Sequence, residues 1–412
     1  MGKGYLMSML RIERPTYMDF LQRAKDKPII KVVSGIRRCG KSTLFEMYRE
    51  WLISNGVNPD RIIAINFEEL EVEHLRHYKV LYEHLLPLLV PDKMTYVFLD
   101  EIQHVEQFEK AVDSLHVKKN VDLYITGSNA WFMSGDLATL LTGRYVELKM
   151  LPLSFSEYCA GRKQIMDEPA MLRSLYADYC SRSSFPYAMQ LEGNKRDMQD
   201  YLAGIYNSIL LKDVVARLRI SDVMMLESVI RFVFHNIGNL LSTTKIANTM
   251  TSEGRKIDQK TVEKYLRGLM DSLILHQAGR YDIKGKQYLA TLEKYYVADI
   301  GLRHYLLGPA HADQGHILEN VVYLELLRRF EHVHVGHLTS GEVDFVVQST
   351  SGIQYYQVAA SVLDTQTLQR ELAPLEKIAD HYPKILLTLD EIGAGTTHNG
   401  VIQMNALTWL LQ

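Results

Sequence analysis

Val32-Val33-Ser34-Gly35-Ile36-Arg37-Arg38-Cys39-Gly40-Lys41-Ser42-Thr43 fits the pattern G-x-x-x-x-G-K-[ST]. Upstream, Ile29 to Val33 is β-branched and apolar except for Lys31, as a buried central strand would be. Downstream, Leu44, Tyr48, Trp51 and Leu52 recur at helical spacing, and Gly56 closes that helix. In a strand–loop–helix setting the glycines let the backbone close around an anion, with main-chain N–H groups and the helix N-terminus facing it. The candidate nucleotide-binding residues are therefore Gly35, Ile36, Arg37, Arg38, Cys39, Gly40, Lys41, Ser42 and Thr43. Lys41 is placed to reach the β- and γ-phosphates of ATP, and Ser42 to hold Mg²⁺.

Working outward, strands and helices alternate, which predicts an α/β fold with a parallel sheet and helices on both faces. Ile62 to Phe67 reads as the second strand, and Glu68 to His77 as a polar crossover. Thr95-Tyr96-Val97-Phe98-Leu99-Asp100-Glu101 is an apolar strand ending in two carboxylates. A P-loop enzyme needs one acid to order the Mg²⁺ shell, here Asp100 with Ser42, and another to orient or activate the attacking water, here Glu101. A fourth strand, Val121 to Thr126, runs into Gly127-Ser128-Asn129, where Asn129 is a candidate for bonding the γ-phosphate or the water. A fifth strand, Tyr145 to Lys149, follows Thr142-Gly143-Arg144. Arg144 is a candidate for neutralising charge on the transferring phosphoryl group, in its own subunit or a neighbour's, and its place ahead of the strand reads as the nucleotide side of the sheet. The plain alternative for Arg144 is a surface ion pair.

Length and composition bound the rest. At 412 residues, and with about 150 residues per domain as a prior, two or three domains are expected. Hydrophobic content of 47%, charged content of 23% and a net charge of −3 describe an ordinary globular chain and exclude a globally basic nucleic-acid binder. Cys39, Cys159 and Cys180 have no metal-ligand spacing and form no disulfide framework, as expected of a reducing cytoplasm. The run Leu85 to Val90 is too short to span a bilayer, no cleavable signal is read, and Leu6 stands where a myristoylation motif wants Ser or Thr. A membrane partner is not expected.

Gly35 to Thr43, Asp100-Glu101 and Gly127-Ser128-Asn129, in this order, resemble the Walker A, Walker B and sensor 1 motifs of AAA+ ATPases. Gly35 to Thr43, Leu141-Thr142-Gly143-Arg144 and Leu151-Pro152-Leu153-Ser154-Phe155-Ser156-Glu157 resemble more narrowly a group of bacterial and archaeal AAA+ proteins with a C-terminal domain of unknown function. The resemblance covers essentially the whole chain. It implies an ATPase core over 1–150 and a helical lid over 151–221.

Residues 222–312 read as a winged helix: a capped helix from Ser242, a second helix from Asp258, then two strand-like runs, Leu273 to Tyr281 and Gln287 to Leu292. Lys256, Lys260, Lys264, Arg267, Lys284 and Lys286 would supply phosphate contacts to DNA, with Asp258, Glu263 and Asp271 interleaved. A protein-contact role is the alternative. In 313–412, Glu319 on a helix, Asp344 on a strand and Gln357-Val358-Ala359 on the next resemble the PD-(D/E)xK nuclease fold. Gln357 and Ala359 stand where that fold wants an acid and a lysine, so a degenerate nuclease domain is expected. His332, His334 and His337 read as solvated strand residues rather than metal ligands.

The expectation is a Mg²⁺-dependent ATPase that binds ATP and ADP and moves its winged-helix and nuclease-like parts against a partner, DNA or protein, as a homo-oligomer. Two alternatives stand beside it: an ATP-bound assembly scaffold without turnover, and an ATP-regulated metal-dependent nuclease.

Overall fold

The computed structural model describes residues 11–128, 141, 143–162, 168–191, 194–308, 314–339, 341–350 and 352–412. They fall into two compact units, one of Arg11–Pro152 with Asp271–Leu273 and one of the remainder from Leu153 onward.

In the first unit β1 (Ile30–Gly35), β2 (Ile62–Asn66), β3 (Thr95–Asp100), β4 (Val121–Gly127) and β5 (Tyr145–Met150) pair in the order β2-β3-β4-β1-β5. Every pair is parallel, so the chain forms the α/β parallel sheet expected from its sequence. Side-chain alternation divides the core between the two faces. Ile30, Val32, Val97, Leu99, Leu123 and Ile125 join one apolar cluster with Leu81 and Leu85 of helix Tyr78–Leu85 and Val112 and Leu115 of helix Phe108–His116. Phe98 and Tyr124 face the other way and stack with centroids 4.7 Å apart. Against them lie Phe45 and Tyr48 of helix Lys41–Ser54, with Phe45–Phe98 centroids at 5.2 Å and Tyr48–Tyr124 at 5.3 Å. Each large apolar side chain buried this way contributes roughly 1.5–3 kcal/mol. The helix that follows the glycine-rich loop is thus anchored by its own aromatic face.

With all strands parallel, their carboxyl ends gather at one edge, and β1 delivers the glycine-rich loop there between β4 and β5. The opposite edge explains the charge in the first strand. Lys31 is fully buried and ion-paired with the equally buried Asp122, whose other oxygen accepts the Tyr124 hydroxyl at 2.8 Å and the Asp26 N–H at 2.9 Å. Burial pulls Lys31 down and pushes Asp122 up, and the pairing opposes both shifts. The polar crossover after β2 contains a 3-10 turn, Leu70–Leu75.

The second unit opens with helices Phe155–Arg162, Pro169–Ser181 and Lys195–Ser208, the last running into a π-helical stretch, Ile209–Ala216. Helix Val223–His235, β6 (Leu240–Leu241), helices Thr243–Ser252 and Gln259–Asp271, and the antiparallel hairpin of β7 (Leu275–Asp282) and β8 (Gln287–Val297) follow. The start signals read from sequence work as caps. The Ser242 hydroxyl accepts the Lys245 N–H at 3.1 Å, and the Asp258 carboxylate accepts the Thr261 N–H at 3.0 Å. Helices Ile300–Leu307 and Gln314–Arg329 lead to β9 (His332–Leu338), β10 (Gly341–Ser349) and β11 (Gly352–Ala359), then β12 (Lys384–Thr388), β13 (Thr397–His398) and β14 (Val401–Asn405). β7 pairs in parallel with β9, so one mixed sheet runs β13-β14-β12-β11-β10-β9-β7-β8-β6 through hairpin and C-terminal strands alike.

Candidate active site

The loop after β1 is shaped by three backbone constraints. Gly35 lies so close to β5 that a Cβ there would sit 2.5 Å from the Met150 carbonyl oxygen. Arg38 at φ 64° and Gly40 at φ 104° take the left-handed region, which Gly40 adopts without a steric cost. Gly40 is the residue preceding helix Lys41–Ser54 and provides no side-chain cap, so the first N–H groups of that helix remain open to an anion. Behind the loop the buried Arg14 donates to the Cys39 carbonyl at 3.1 Å and to the Leu151 carbonyl at 2.8 Å, fastening loop and β5 end together. Nothing in the spacing around Arg14 pointed to this.

Lys41 is buried and folds back over its own loop. Its Nζ donates to the Gly35 carbonyl at 3.0 Å and lies 3.2 Å from Glu101 Oε1. Burial alone would lower the lysine and raise the acid, yet each is shifted toward its charged form. Desolvation is the largest single effect on each, and it is outweighed only jointly: for Lys41 by the charges of Glu101, Cys39 and Asp100 with the Glu101 hydrogen bond, for Glu101 by the Lys41 charge with hydrogen bonds from Gln103 and Ser128. Asp100 behaves differently. Burial raises its pKa, and hydrogen bonds from Ser42 and Thr126 only partly offset that.

Two residues not singled out from sequence hold this pair of acids. The Thr126 hydroxyl donates to Asp100 Oδ1 and accepts the Glu101 N–H at 2.8 Å, bridging β4 to the end of β3. The Gln103 amide donates to Glu101 Oε2 at 2.5 Å and to the buried Ser128 hydroxyl at 3.3 Å. A polar Thr closing the apolar run Leu123 to Ile125 was the available signal for Thr126; Gln103 had none. Glu101 itself sits at φ 52°, a left-handed conformation uncommon outside glycine, which turns its side chain back toward Lys41. Glu68, Glu101 and His104 offer ligand atoms within 4.8 Å of one another, and burial lowers the His104 pKa, favouring its neutral, ligating form. Glu68 is exposed and also lies 3.4 Å from the Arg37 guanidinium.

Comparison with known proteins bears on this arrangement. An AAA domain model matches residues 27–159, and a model described as a domain of unknown function (DUF8612) matches residues 173–312. An uncharacterized protein of Haemophilus influenzae is 38% identical over 409 residues, 98% of this chain and 100% of its own length. The chain belongs to one family with that protein, and its residues 27–159 are an AAA domain. The uncharacterized protein MJ1544 of Methanocaldococcus jannaschii is 28% identical, over 84% of this chain and 78% of its own. Among solved structures, the Walker-type ATPase of Pyrococcus abyssi aligns with 72% of this chain and 96% of its own at 16% identity and a TM-score of 0.49.

Of the AAA+ motif residues expected from sequence, Gly35 to Thr43, Asp100 and Glu101 meet at the carboxyl edge of the sheet, while Asn129 lies outside the described residues. Arg144 requires a correction: it is not on the nucleotide side. Register pairs Ile30 with Tyr145 and Gly35 with Met150, so Arg144 lies beside the start of β1, a strand length of ~16 Å from the loop. Its carbonyl accepts the Ile30 N–H at 2.8 Å, and its half-exposed guanidinium pairs with Asp113. In a parallel sheet the residue preceding a strand sits at the amino edge, which excludes a contact with its own P-loop at this distance.

In the second unit Lys256, Lys260, Lys264, Arg267, Lys284 and Lys286 are all exposed, on or just ahead of helix Gln259–Asp271 and in the β7–β8 turn. His332 is exposed; His334 packs on Tyr288 with centroids 4.9 Å apart, and His337 Nδ1 lies 2.7 Å from the Arg280 guanidinium. Gln357 does not replace an acid in function: its Oε1 accepts the Asp344 N–H at 3.3 Å and its amide donates to Glu371 at 2.8 Å. Ala359 is buried in the C-terminal core.

Proposed function

We propose that this AAA+ protein binds and hydrolyses ATP and couples its nucleotide state to movement of winged-helix and nuclease-like parts on DNA. The observation that carries the reading is the convergence of Lys41, Asp100 and Glu101 at the edge where β1 delivers its loop. Lys41 and the open N–H groups of its helix bind the phosphates. Arriving phosphate oxygens compete with Glu101 for Lys41, and a released Glu101, still held by the Gln103 amide, orients the attacking water. Ser42 and Asp100, hydrogen-bonded to each other, present the two oxygens that fit a Mg²⁺ shell. Bound there, Mg²⁺ would neutralise charge on the β- and γ-phosphates.

DNA as the partner is supported by the helix–strand–helix–helix–hairpin order of Val223 to Val297 and by exposed lysines on its last helix and hairpin turn. Steady-state ATP turnover with and without duplex and single-stranded DNA tests the reading. Turnover raised by DNA is the expected result. Tight ATP binding without turnover would replace it with the scaffold alternative, and ATP-regulated DNA cleavage with the nuclease alternative.

A further inference from the structure

The C-terminal acids read from sequence, Glu319 and Asp344, are brought together by a residue from the hairpin. Lys294 of β8 is buried, with its side chain 5% exposed, and its Nζ stands 2.9 Å from Glu319 Oε1, 2.7 Å from Glu342 Oε1 and 3.2 Å from Asp344 Oδ1. Helix Gln314–Arg329 supplies the first acid and β10 the other two. Two residues along β8, and so on the same face, Tyr296 donates its hydroxyl to Glu319 Oε1 at 2.7 Å. The second oxygen of Asp344 accepts the Val358 N–H at 2.9 Å. Gly238 leaves room for the second oxygen of Glu319, since a Cβ there would lie 3.1 Å from it.

We propose that Glu319, Glu342 and Asp344 form one cation site whose resident cation is the Lys294 ammonium, and that this side chain keeps divalent metal out of the nuclease-like fold. Glu319 and Asp344 are buried and Glu342 is partly so; carboxylates this close need a counter-charge between them, and Lys294 supplies it with a partner at each of its three N–H bonds. The distances of 2.7 to 3.2 Å are those of charge-assisted hydrogen bonds and exceed the roughly 2.0–2.6 Å of Mg²⁺ or Ca²⁺ to oxygen. Consistently, Lys294 is held well above the ordinary lysine value by the three acids, against the effect of burial. The same contact ties the hairpin strand to the helix and strand of the C-terminal fold. This inference is independent of ATP hydrolysis.

The test uses the full chain without nucleotide and Mn²⁺ as the probe, with bound ion counted by electron paramagnetic resonance. Lys294→Ala should bind one more Mn²⁺ than the wild type, because the acids need move in by less than about 1 Å, and adding Asp344→Asn should abolish the gain. The comparison cancels any ion taken up by Glu68, Glu101 and His104. Mn²⁺ bound by the wild type and lost on Asp344→Asn would overturn the proposal, as would a folded Lys294→Ala that gains none. If Lys294→Ala does not fold, an amine-reactive reagent on the wild type decides: Lys294 should stay unlabelled while Lys284 and Lys286 react, and Glu319→Gln should open it to labelling. Labelling of Lys294 alongside those turn lysines would overturn the proposal.

Discussion

Lys41 and Glu101 hold each other in a buried ion pair at 3.2 Å, so changing either alone leaves the other as an uncompensated charge. The two substitutions nonetheless separate binding from chemistry. Lys41→Ala removes the buried cation placed for the phosphates and should abolish ATP binding in calorimetry. Glu101→Gln keeps the shape and the Gln103 contact but cannot orient or polarise water as a carboxylate does. It should retain ATP while slowing turnover by about 10²-fold or more, and turnover equal to the parent's would remove Glu101 from the mechanism. Thr126 calls for a subtler change. Thr126→Val is nearly isosteric but deletes the hydroxyl that joins Asp100 to the Glu101 N–H. It should cost about 1–3 kcal/mol in urea unfolding, the usual effect of stranding a buried polar partner. Turnover should fall with it, because both acids lose their common support.

At the scale of elements, what could be read in advance was what is contiguous. The glycine-rich loop sits between its own strand and helix, and Asp100-Glu101 closes its own strand, so local spacing was enough to place both at the ends of their elements. Ser242 and Asp258 announced their helices because a cap acts within three residues. Lys294 meets Glu319 and Asp344 from positions 25 and 50 residues away, and only the pairing of strands reveals that. Arg144 was misplaced for the same reason: its position depends on strand direction relative to β1, which its neighbours in sequence do not encode. The buried Lys31 looked like an interruption and proved to be half of an ion pair with Asp122. For helix Gln259–Asp271 the exposed lysines make a direct prediction. Lys260→Glu with Lys264→Glu should weaken duplex DNA binding and flatten its salt dependence, each lost phosphate contact lowering the slope by about 1. No binding at low salt in the parent would instead assign this helix to a protein partner.

For the whole molecule, Arg144 poses the question of assembly. A strand length of ~16 Å separates it from its own P-loop, so any action on phosphate must be on that of a neighbouring copy. Its guanidinium is half exposed, and its ion pair with Asp113 is likewise at the surface, where such a pair contributes little, about 0–1 kcal/mol, and exchanges easily for a phosphate. If Arg144 serves a neighbour, activity per subunit should rise with protein concentration, and Arg144→Ala should be inactive while still binding ATP. Mixing Arg144→Ala with Lys41→Ala should then restore part of the activity. At mixed interfaces the Lys41→Ala copy supplies an intact arginine to the intact P-loop of the other, a complementation that neither variant achieves alone. Activity independent of concentration, with no gain on mixing, would leave Arg144 as a surface partner of Asp113 and place hydrolysis wholly within one chain.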